Sequence, residues 1–325
     1  MPAHDYHLQI VSLSNRNTMG TPSHLLDKPK GSRFLLYSKL KTASFTCEAD
    51  PRASFCLYIP MTHPVSRLHA GESLDPHQPA YPLVVLIHHT YLNGESMRNF
   101  FSDWAENNQC VLLSVLFPFS FRPVSSLDYD TGVFSRRCLW QNGEFADYYK
   151  YMRDPSPTDP VRYDLLILDM IRTVDREWGS IETERFCIAG YSAGGQAALR
   201  FFYLHPDKIK AAAIGAPGGF TSIDPSMAWP EGTADVQDMF GVEVTHERLA
   251  HSGAQARVQL CIGQLDTGRK DGGTHSRPQI LDAIAKDLKA AGLVHEMVTV
   301  PGIGHEGFEE AYAVQMEFLE KYLRK

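Results

Sequence analysis

The chain has 325 residues, of which 43% are hydrophobic, and its 31 basic and 38 acidic side chains give a formal net charge of −7. This length and apolar content can bury one large core with insertions, or two small ones. No basic block suggests a nucleic-acid partner, and no apolar run approaches the roughly 20 residues that a membrane helix requires.

The first residues of the chain lack the basic start and apolar run of a secretory signal. Six cysteines are scattered without a CxxC pair, which indicates free thiols in a reducing, cytoplasmic compartment and argues against a zinc site. We therefore expect a protein that acts on a small molecule and binds neither nucleic acid nor membrane. The sequence leaves its oligomeric state open.

The N-terminal part of the chain changes character near residue 33. Residues 1–32 are polar, so we interpret them as an arm that precedes one domain over residues 33–325. The stretches RFLLYSKL, ASFTCEA and ASFCLYIP then alternate in polarity, which predicts short antiparallel strands at the entrance to a sheet. Residues 61–81 contain several prolines and predict a surface loop.

From residue 82 onward, continuous apolar runs alternate with helical patterns. Buried strands are predicted for PLVVLIHH, CVLLSVLF, RFCIAG, KAAAIGAP, RVQLCIG and HEMVTVPG. Asp159 and Pro160 form a capping acid followed by a first-turn proline, which predicts a helix from there to about Trp178. The alternation predicts the α/β class, with a mostly parallel, doubly wound sheet covered by helices on both faces.

Two segments are too long for ordinary connections, and we interpret them as insertions over the carboxyl edge of the sheet. The first spans about residues 118–160 and is rich in aromatic side chains, including Trp140. The second spans about residues 217–253 and contains Trp229. We expect both tryptophans to contact substrate.

The stretch RFCIAGYSAGGQAALRFF contains the pattern G-x-S-x-G between a buried strand and a helix. This context places Ser192 at a sharp strand-to-helix corner, where its hydroxyl is exposed above the sheet edge as a nucleophile. Side chains at Gly190 and Gly194 would collide with the neighbouring strand and helix. Tyr191 lies beside the serine, so we expect it to contact substrate as well.

A nucleophilic serine needs a base, and the base needs an orienting acid. The strand RVQLCIG is followed by Asp266, which we predict to be the acid because it follows the strand most directly. Asp271 in the same loop and Asp224 in the second insertion are the alternatives. The last strand is followed by PGIGHEGF, where His305 lies in a glycine-rich loop and is the predicted general base.

Two backbone N–H groups are expected to form an oxyanion hole. One belongs to Ala193, the residue after the nucleophile, and the other belongs to the stretch His88-His89-Thr90-Tyr91 after the strand PLVVLIHH. With these motifs the chain resembles, from about residue 33 to its end, a serine hydrolase of the α/β-hydrolase fold. In that superfamily a glycine usually follows the histidine, so the resemblance implies Thr90 as the second donor, with Tyr91 as the alternative. His89 occupies the glycine position and is expected to contact substrate.

The segments around Ser192 and Asp266 resemble compact microbial esterases, and the overall layout is similar to serine hydrolases of fungal polyketide–peptide biosynthetic clusters. The resemblance implies hydrolysis of an apolar or natural-product-like carboxylic ester through an acyl-enzyme. Two alternatives stay open: the same triad in thioesterase, amidase, condensation or cyclisation chemistry, and a non-catalytic binding protein on a hydrolase scaffold. No cofactor or metal is expected, because the chain has no HExxH, Walker loop or helix-opening GxGxxG.

The aromatic first insertion predicts an apolar substrate pocket. Trp140→Ala should lower kcat/KM for bulky apolar esters more than for acetate esters, because a buried indole supplies a large apolar contact. Steady-state kinetics with the two ester classes measure this difference. Equal losses for both classes would show that this segment does not determine specificity.

Overall fold

The computed structural model describes most of the chain from Ser44 to its end. The described residues are 44–50, 53–64, 66, 79–89, 94–117, 152–153, 162–268 and 275–325. The proposed arm over residues 1–32 lies outside these ranges, as does nearly all of the first insertion. No helix within them is long and apolar enough to cross a membrane.

Eight strands form a single sheet in the order β1-β2-β4-β3-β5-β6-β7-β8. Their bounds are β1 (Ser44–Thr46), β2 (Ser54–Tyr58), β3 (Tyr81–Ile87), β4 (Val111–Leu116), β5 (Ile181–Tyr191), β6 (Ile209–Gly215), β7 (Arg257–Gly263) and β8 (Val294–Val300). Strand β2 pairs antiparallel with β1 and β4, and every other pair is parallel. The predicted mostly parallel sheet with antiparallel strands at its start is confirmed.

The central strands are apolar because helices cover both of their faces. Every residue of β3 and β4 is buried, as their continuous apolar runs predict. Seven helices are described: α1 (Gly94–Asn108), α2 (Tyr163–Trp178), α3 (Ala193–Leu204), α4 (Val236–Phe240), α5 (His246–Ser252), α6 (Arg277–Ala290) and α7 (Phe308–Glu320).

The direction of each crossover decides which face its helix covers. The connection through α1 runs from β3 to β4, whereas the connections through α2, α3 and α6 move along the sheet in the opposite direction. Right-handed crossovers therefore place α1 on one face and α2, α3 and α6 on the other. Helix α7 lies on the same face as α1, since the rings of Phe100 on α1 and Tyr312 on α7 are 5.6 Å apart.

The connections that leave β3 and β5 run in opposite directions along the sheet, which creates a crevice at the carboxyl ends of these two strands. Ligands bind at such switch points in open α/β sheets, because the loops that follow the two strands diverge there. His88 and His89 follow β3, and Ser192 follows β5. The sheet topology thus brings the predicted serine and the predicted oxyanion loop to one place.

The predicted start of α2 at Pro160 is wrong. Arg162 has an extended backbone (φ −102°, ψ 102°) and bridges to Arg153, so the helix begins at Tyr163. The Arg162 guanidinium donates to both carboxylate oxygens of Asp164, at 2.8 and 2.6 Å, and His205 Nε2 lies 2.8 Å from Asp164 Oδ2. Tertiary contacts of the buried carboxylate, rather than the local Asp-Pro pattern, determine where the helix starts.

The Arg162–Asp164 pair is a buried anchor of α2. Burial of Asp164 alone would raise its pKa, but hydrogen bonds from Arg162 and His205 outweigh burial and hold that pKa below its usual range. The Arg162 side chain is 18% exposed and its partner 0%, whereas Arg172 on the same helix is 68% exposed in its pair with Asp169. The two arginines therefore differ in burial but have the same kind of partner.

We predict that Arg162→Gln lowers the free energy of unfolding by about 3 kcal/mol, because it leaves a buried carboxylate without its main partner. Arg172→Gln should change it by less than about 0.5 kcal/mol, since exposed pairs contribute little. Urea unfolding followed by circular dichroism measures both variants. Similar losses in the two would contradict the assignment of Arg162 as a buried anchor.

Candidate active site

Ser192 lies at the corner between β5 and α3, as the G-x-S-x-G pattern predicts. It is the N-cap residue of α3 and has φ +56° and ψ −116°, a backbone conformation that side chains other than glycine rarely adopt. Its N–H donates to the carbonyl of Gly215 at the end of β6, at 2.8 Å. The strained corner is thus attached to the neighbouring strand, and the strain is maintained by the packing around it.

Three glycines allow this corner to form. A Cβ at Gly190 would lie 2.2 Å from the carbonyl oxygen of Gly194, and a Cβ at Gly194 would lie 2.1 Å from the carbonyl oxygen of Ile87. The collisions expected from the sequence are therefore present, with α3 in the first case and β3 in the second. Gly195 is a further such position, because its Cβ would lie 2.4 Å from the carbonyl oxygen of Gly215.

The structure brings together the serine, histidine and aspartate singled out from the sequence. Ser192 Oγ lies 3.0 Å from His305 Nε2, and His305 Nδ1 lies 2.7 Å from Asp266 Oδ2. A carboxylate can only accept, so Nδ1 carries the imidazole proton and Nε2 of the neutral ring is left to accept from the serine hydroxyl. This arrangement can transfer a proton from Ser192 to His305.

The loops that carry Asp266 and His305 are joined to each other by hydrogen bonds. The N–H of Leu265 donates to the carbonyl of Ile303 at 2.8 Å, and the N–H of Gly302 donates to Gln264 Oε1 at 3.1 Å. A Cβ at Gly263 would lie 2.5 Å from the Ile303 carbonyl oxygen, so the close approach of the two loops requires glycine there. The acid and the histidine are therefore held by one connected piece of backbone.

Neither alternative acid is found beside His305 in the described residues. Asp224 lies in the second insertion and accepts hydrogen bonds from the N–H and hydroxyl of Ser226, at 2.8 and 2.7 Å. Asp271 lies outside the described residues. The geometry thus favours Asp266 as the partner of the histidine.

Arg277 contacts the site but was not predicted from the sequence. Its Nη1 donates to Asp266 Oδ1 at 3.0 Å, so the two carboxylate oxygens of this acid have separate nitrogen partners. The Asp266 side chain is 2% exposed and that of Arg277 is 15% exposed. An arginine in the first turn of a helix, where the helix dipole disfavours a cation, is the sequence feature that could have identified it.

Tyr191 was expected to contact substrate, and the structure gives it another position. Its side chain is 1% exposed, and its hydroxyl donates to the carbonyl of His305 at 3.0 Å. Burial raises the pKa of Tyr191, which keeps the phenol protonated and able to donate. The tyrosine therefore holds the backbone of the histidine loop through this hydrogen bond. Its burial corrects the expectation of a substrate contact.

The second insertion also places its tryptophan in the core. Trp229 is 6% exposed, its ring lies 5.1 Å from that of Phe240, and the Arg200 guanidinium lies 5.9 Å from it. These contacts bury the indole inside the insertion and correct the expected substrate role of Trp229. Trp140 lies outside the described residues.

The loop after β3 is anchored by a buried histidine. The N–H of Phe117 donates to His88 Nε2 at 3.2 Å, and His88 Nδ1 lies 2.8 Å from the carbonyl oxygen of His89. These partners require a neutral ring with its proton on Nδ1, and burial lowers the pKa of His88 to about 4 in agreement. His88 thus connects the ends of β3 and β4 directly before the predicted oxyanion loop.

Of the three residues predicted to donate to the oxyanion, the structure describes only Ala193. Ala193 is the first residue of α3, so its N–H is among those that have no partner inside the helix and can point to a ligand. Thr90 and Tyr91 lie outside the described residues. A negative charge that develops at Ser192 would also be favoured by the N-terminus of α3.

His89 borders the site from the β3 side. Its ring lies 5.1 Å from that of Phe308, which follows His305 by three residues. Burial, and then the charge of His305, lower the pKa of His89 to about 4, so the ring is neutral near pH 7. Within the described residues, no three histidine, cysteine or acidic side chains converge where they could hold a metal ion.

Comparison with solved structures identifies the fold. A poly(3-hydroxybutyrate) depolymerase from Bordetella parapertussis is 18% identical with a TM-score of 0.60, and the match covers 92% of this chain and 97% of that one. An S-formylglutathione hydrolase from Agrobacterium tumefaciens is 16% identical with a TM-score of 0.55, covering 86% and 94%. No protein-family model and no curated protein matches the chain. The chain therefore has the α/β-hydrolase fold, as its sequence pattern predicts.

We predict that Asp266→Asn lowers turnover about 10⁴-fold, because an amide can donate to Nδ1 and thus favours the wrong imidazole tautomer. Asp271→Asn is the matched control and should leave turnover within a few-fold of the wild type. Both rates are measured with an aryl ester on variants whose circular dichroism spectra match the wild type. The opposite ranking of the two variants would show that Asp271 is the acid.

Proposed function

We propose that this protein is a serine hydrolase that cleaves a carboxylic ester of a small molecule through an acyl-enzyme. The proposal depends on one observation, the continuous hydrogen-bonded chain from Asp266 through His305 to Ser192. A nucleophile, its base and the group that orients the base are the parts required for this chemistry.

In the acylation step, Ser192 Oγ attacks the ester carbonyl carbon while its proton moves to His305 Nε2. The resulting oxyanion accepts hydrogen bonds from the N–H groups of Ala193 and of Thr90, or Tyr91 in its place. Collapse of this intermediate breaks the carbon–oxygen bond to the alcohol, which leaves with the proton from His305. Asp266 stabilises the imidazolium while it exists and holds the ring in position.

Deacylation repeats these steps with water as the nucleophile. His305 takes a proton from the water molecule, the resulting hydroxyl attacks the acyl carbon, and the carboxylic acid is released as Ser192 regains its proton. All groups return to their starting protonation states. The cycle therefore consumes one ester and one water and produces one acid and one alcohol.

We further propose that the acyl group is apolar or resembles a natural product. Two described side chains near the catalytic histidine support an apolar surface: the neutral His89 ring and the Phe308 ring in contact with it, which follows His305 by three residues. Desolvated apolar contacts of this kind favour uncharged substrate groups.

Similarity to solved structures supports a hydrolase but leaves several substrates possible. The neighbours named above are a depolymerase and an S-formylglutathione hydrolase, and a siderophore hydrolase from Aspergillus nidulans is 12% identical with a TM-score of 0.52, covering 86% of this chain and 93% of that one. One fold thus accommodates different substrates, so specificity must be tested directly.

We predict that a fluorophosphonate probe labels Ser192 and that Ser192→Ala abolishes labelling. Turnover of aryl esters should fall by a factor of about 10⁴ to 10⁶ in this variant, because the nucleophile is absent. Mass spectrometry of the labelled peptide identifies the modified residue, and Ser102→Ala on α1 is the matched control with unchanged labelling. An unlabelled wild type would favour a non-catalytic binding protein.

The reaction class is tested by the same acyl group presented as an oxygen ester, a thioester and an anilide. The proposal expects the highest kcat/KM for the ester, over a series of acyl chain lengths that includes bulky apolar ones. Faster turnover of the thioester or anilide would instead indicate a thioesterase or an amidase. Labelling at Ser192 without turnover of any of the three would favour condensation or cyclisation chemistry.

A further inference from the structure

Arg277 lies where it can control the chemistry of His305 without touching substrate. It begins α6, and its own N–H donates to the carbonyl of Gly268 at 3.1 Å, which ties the helix to the loop that carries Asp266. Its guanidinium continues the hydrogen-bonded chain by one member, so that the order is Arg277, Asp266, His305, Ser192.

The placement of this arginine opposes a general preference. The N-terminus of a helix carries a partial positive charge, so a cation in the first turn is destabilised there. The same helix start has a favourable capping contact, in which the N–H of Ser276 donates to Gln279 Oε1 at 2.8 Å. An unfavourable charge in an otherwise well-formed helix start indicates that its position is required by Asp266, the carboxylate it contacts.

We propose that Arg277 is a positioning residue of the catalytic chain, which fixes the Asp266 carboxylate for His305 and disfavours premature protonation of the imidazole. This inference rests on the proposed function. With Arg277 on Oδ1, the carboxylate cannot rotate away from His305 without breaking a charge-assisted hydrogen bond. The net charge that His305 experiences from the Asp266–Arg277 pair is also smaller than that from Asp266 alone.

The charged and titratable groups around His305 come from several elements. Asp266 and Arg277 approach from the loop after β7 and from α6, and Glu306 is its exposed chain neighbour. Tyr191 from β5 stays protonated because burial raises the pKa of its phenol, and His89 from the end of β3 stays neutral because burial lowers the pKa of its imidazole. Arg277 is therefore a permanent positive charge among the described groups that face the histidine.

Removal of the Arg277 charge should shift the pH dependence of the reaction in one definite direction. Without Arg277, the negative Asp266 is less compensated, so His305 gains a proton more easily. The free enzyme then loses its base at a higher pH, and the acid limb of the pH–rate profile moves upward. Removal of one charge from a partly buried chain of hydrogen-bonded groups corresponds to a shift of about one pH unit.

The test compares Arg277→Gln with Arg277→Lys. The rate constant for fluorophosphonate labelling of Ser192 is measured from pH 5 to 9, which requires no knowledge of the natural substrate. We expect the Gln variant to shift the acid limb upward by about one pH unit and to lower the plateau about ten- to a hundredfold. The Lys variant keeps the charge, so its acid limb should match the wild type while its plateau falls less.

Arg162→Gln is the matched control, because Arg162 also pairs with a buried aspartate that contacts a histidine, but outside the catalytic chain. Its folded fraction should label with the wild-type pH profile. An unmoved acid limb in Arg277→Gln, or the same shift in the Lys variant, would overturn the inference. Absence of labelling in the wild type would instead reject the proposed function, so the two failures are distinguishable.

Discussion

The close approach of three backbones around Ser192 is the constraint on which the rest of the site depends. Gly194 of α3 has no space for a side chain against Ile87 of β3, and Gly195 has none against Gly215 of β6. Because α3 lies this near to both strands, the serine is forced into its strained conformation and held in reach of His305. A Cβ at either glycine would push the helix away and with it the serine.

The strands of the sheet and the corner at Ser192 could be predicted from the sequence, because both are set by local patterns of residues. Buried strands are continuous apolar runs, and the corner at Ser192 needs small residues at fixed spacing. The start of α2 could not be predicted, since it depends on the burial of Asp164 and on its contact with His205, which is 41 residues away in the sequence. The substrate contacts predicted for Tyr191 and Trp229 were wrong for a related reason. An aromatic residue near a site can pack beneath it, and only the fold decides whether its ring lies in the core or in the site.

The chain of polar groups behind Ser192 shows how a buried carboxylate is kept usable. Burial removes the Asp266 carboxylate from water, and nitrogen partners on its two oxygens offset the cost of that desolvation. An arginine and a histidine also contact the buried carboxylate of Asp164, where Arg162 and His205 serve to anchor a helix. One arrangement of side chains therefore supports stability in one place and proposed catalysis in another, and the presence of a serine distinguishes them.

The pairing of β6 with β7 has a consequence for how such a protein can change over time. These strands are hydrogen-bonded neighbours along their length, from Ala211 beside Arg257 to Gly215 beside Cys261, although residues 217–253 separate them in the chain. The segment between them can therefore lengthen, shorten or change composition while the strands that lead to Ser192 and Asp266 keep their register. The segment between β6 and β7 and the proposed catalytic residues Ser192 and Asp266 are consequently encoded in separable parts of the gene, so mutation can change the segment without changing the strands that carry these residues.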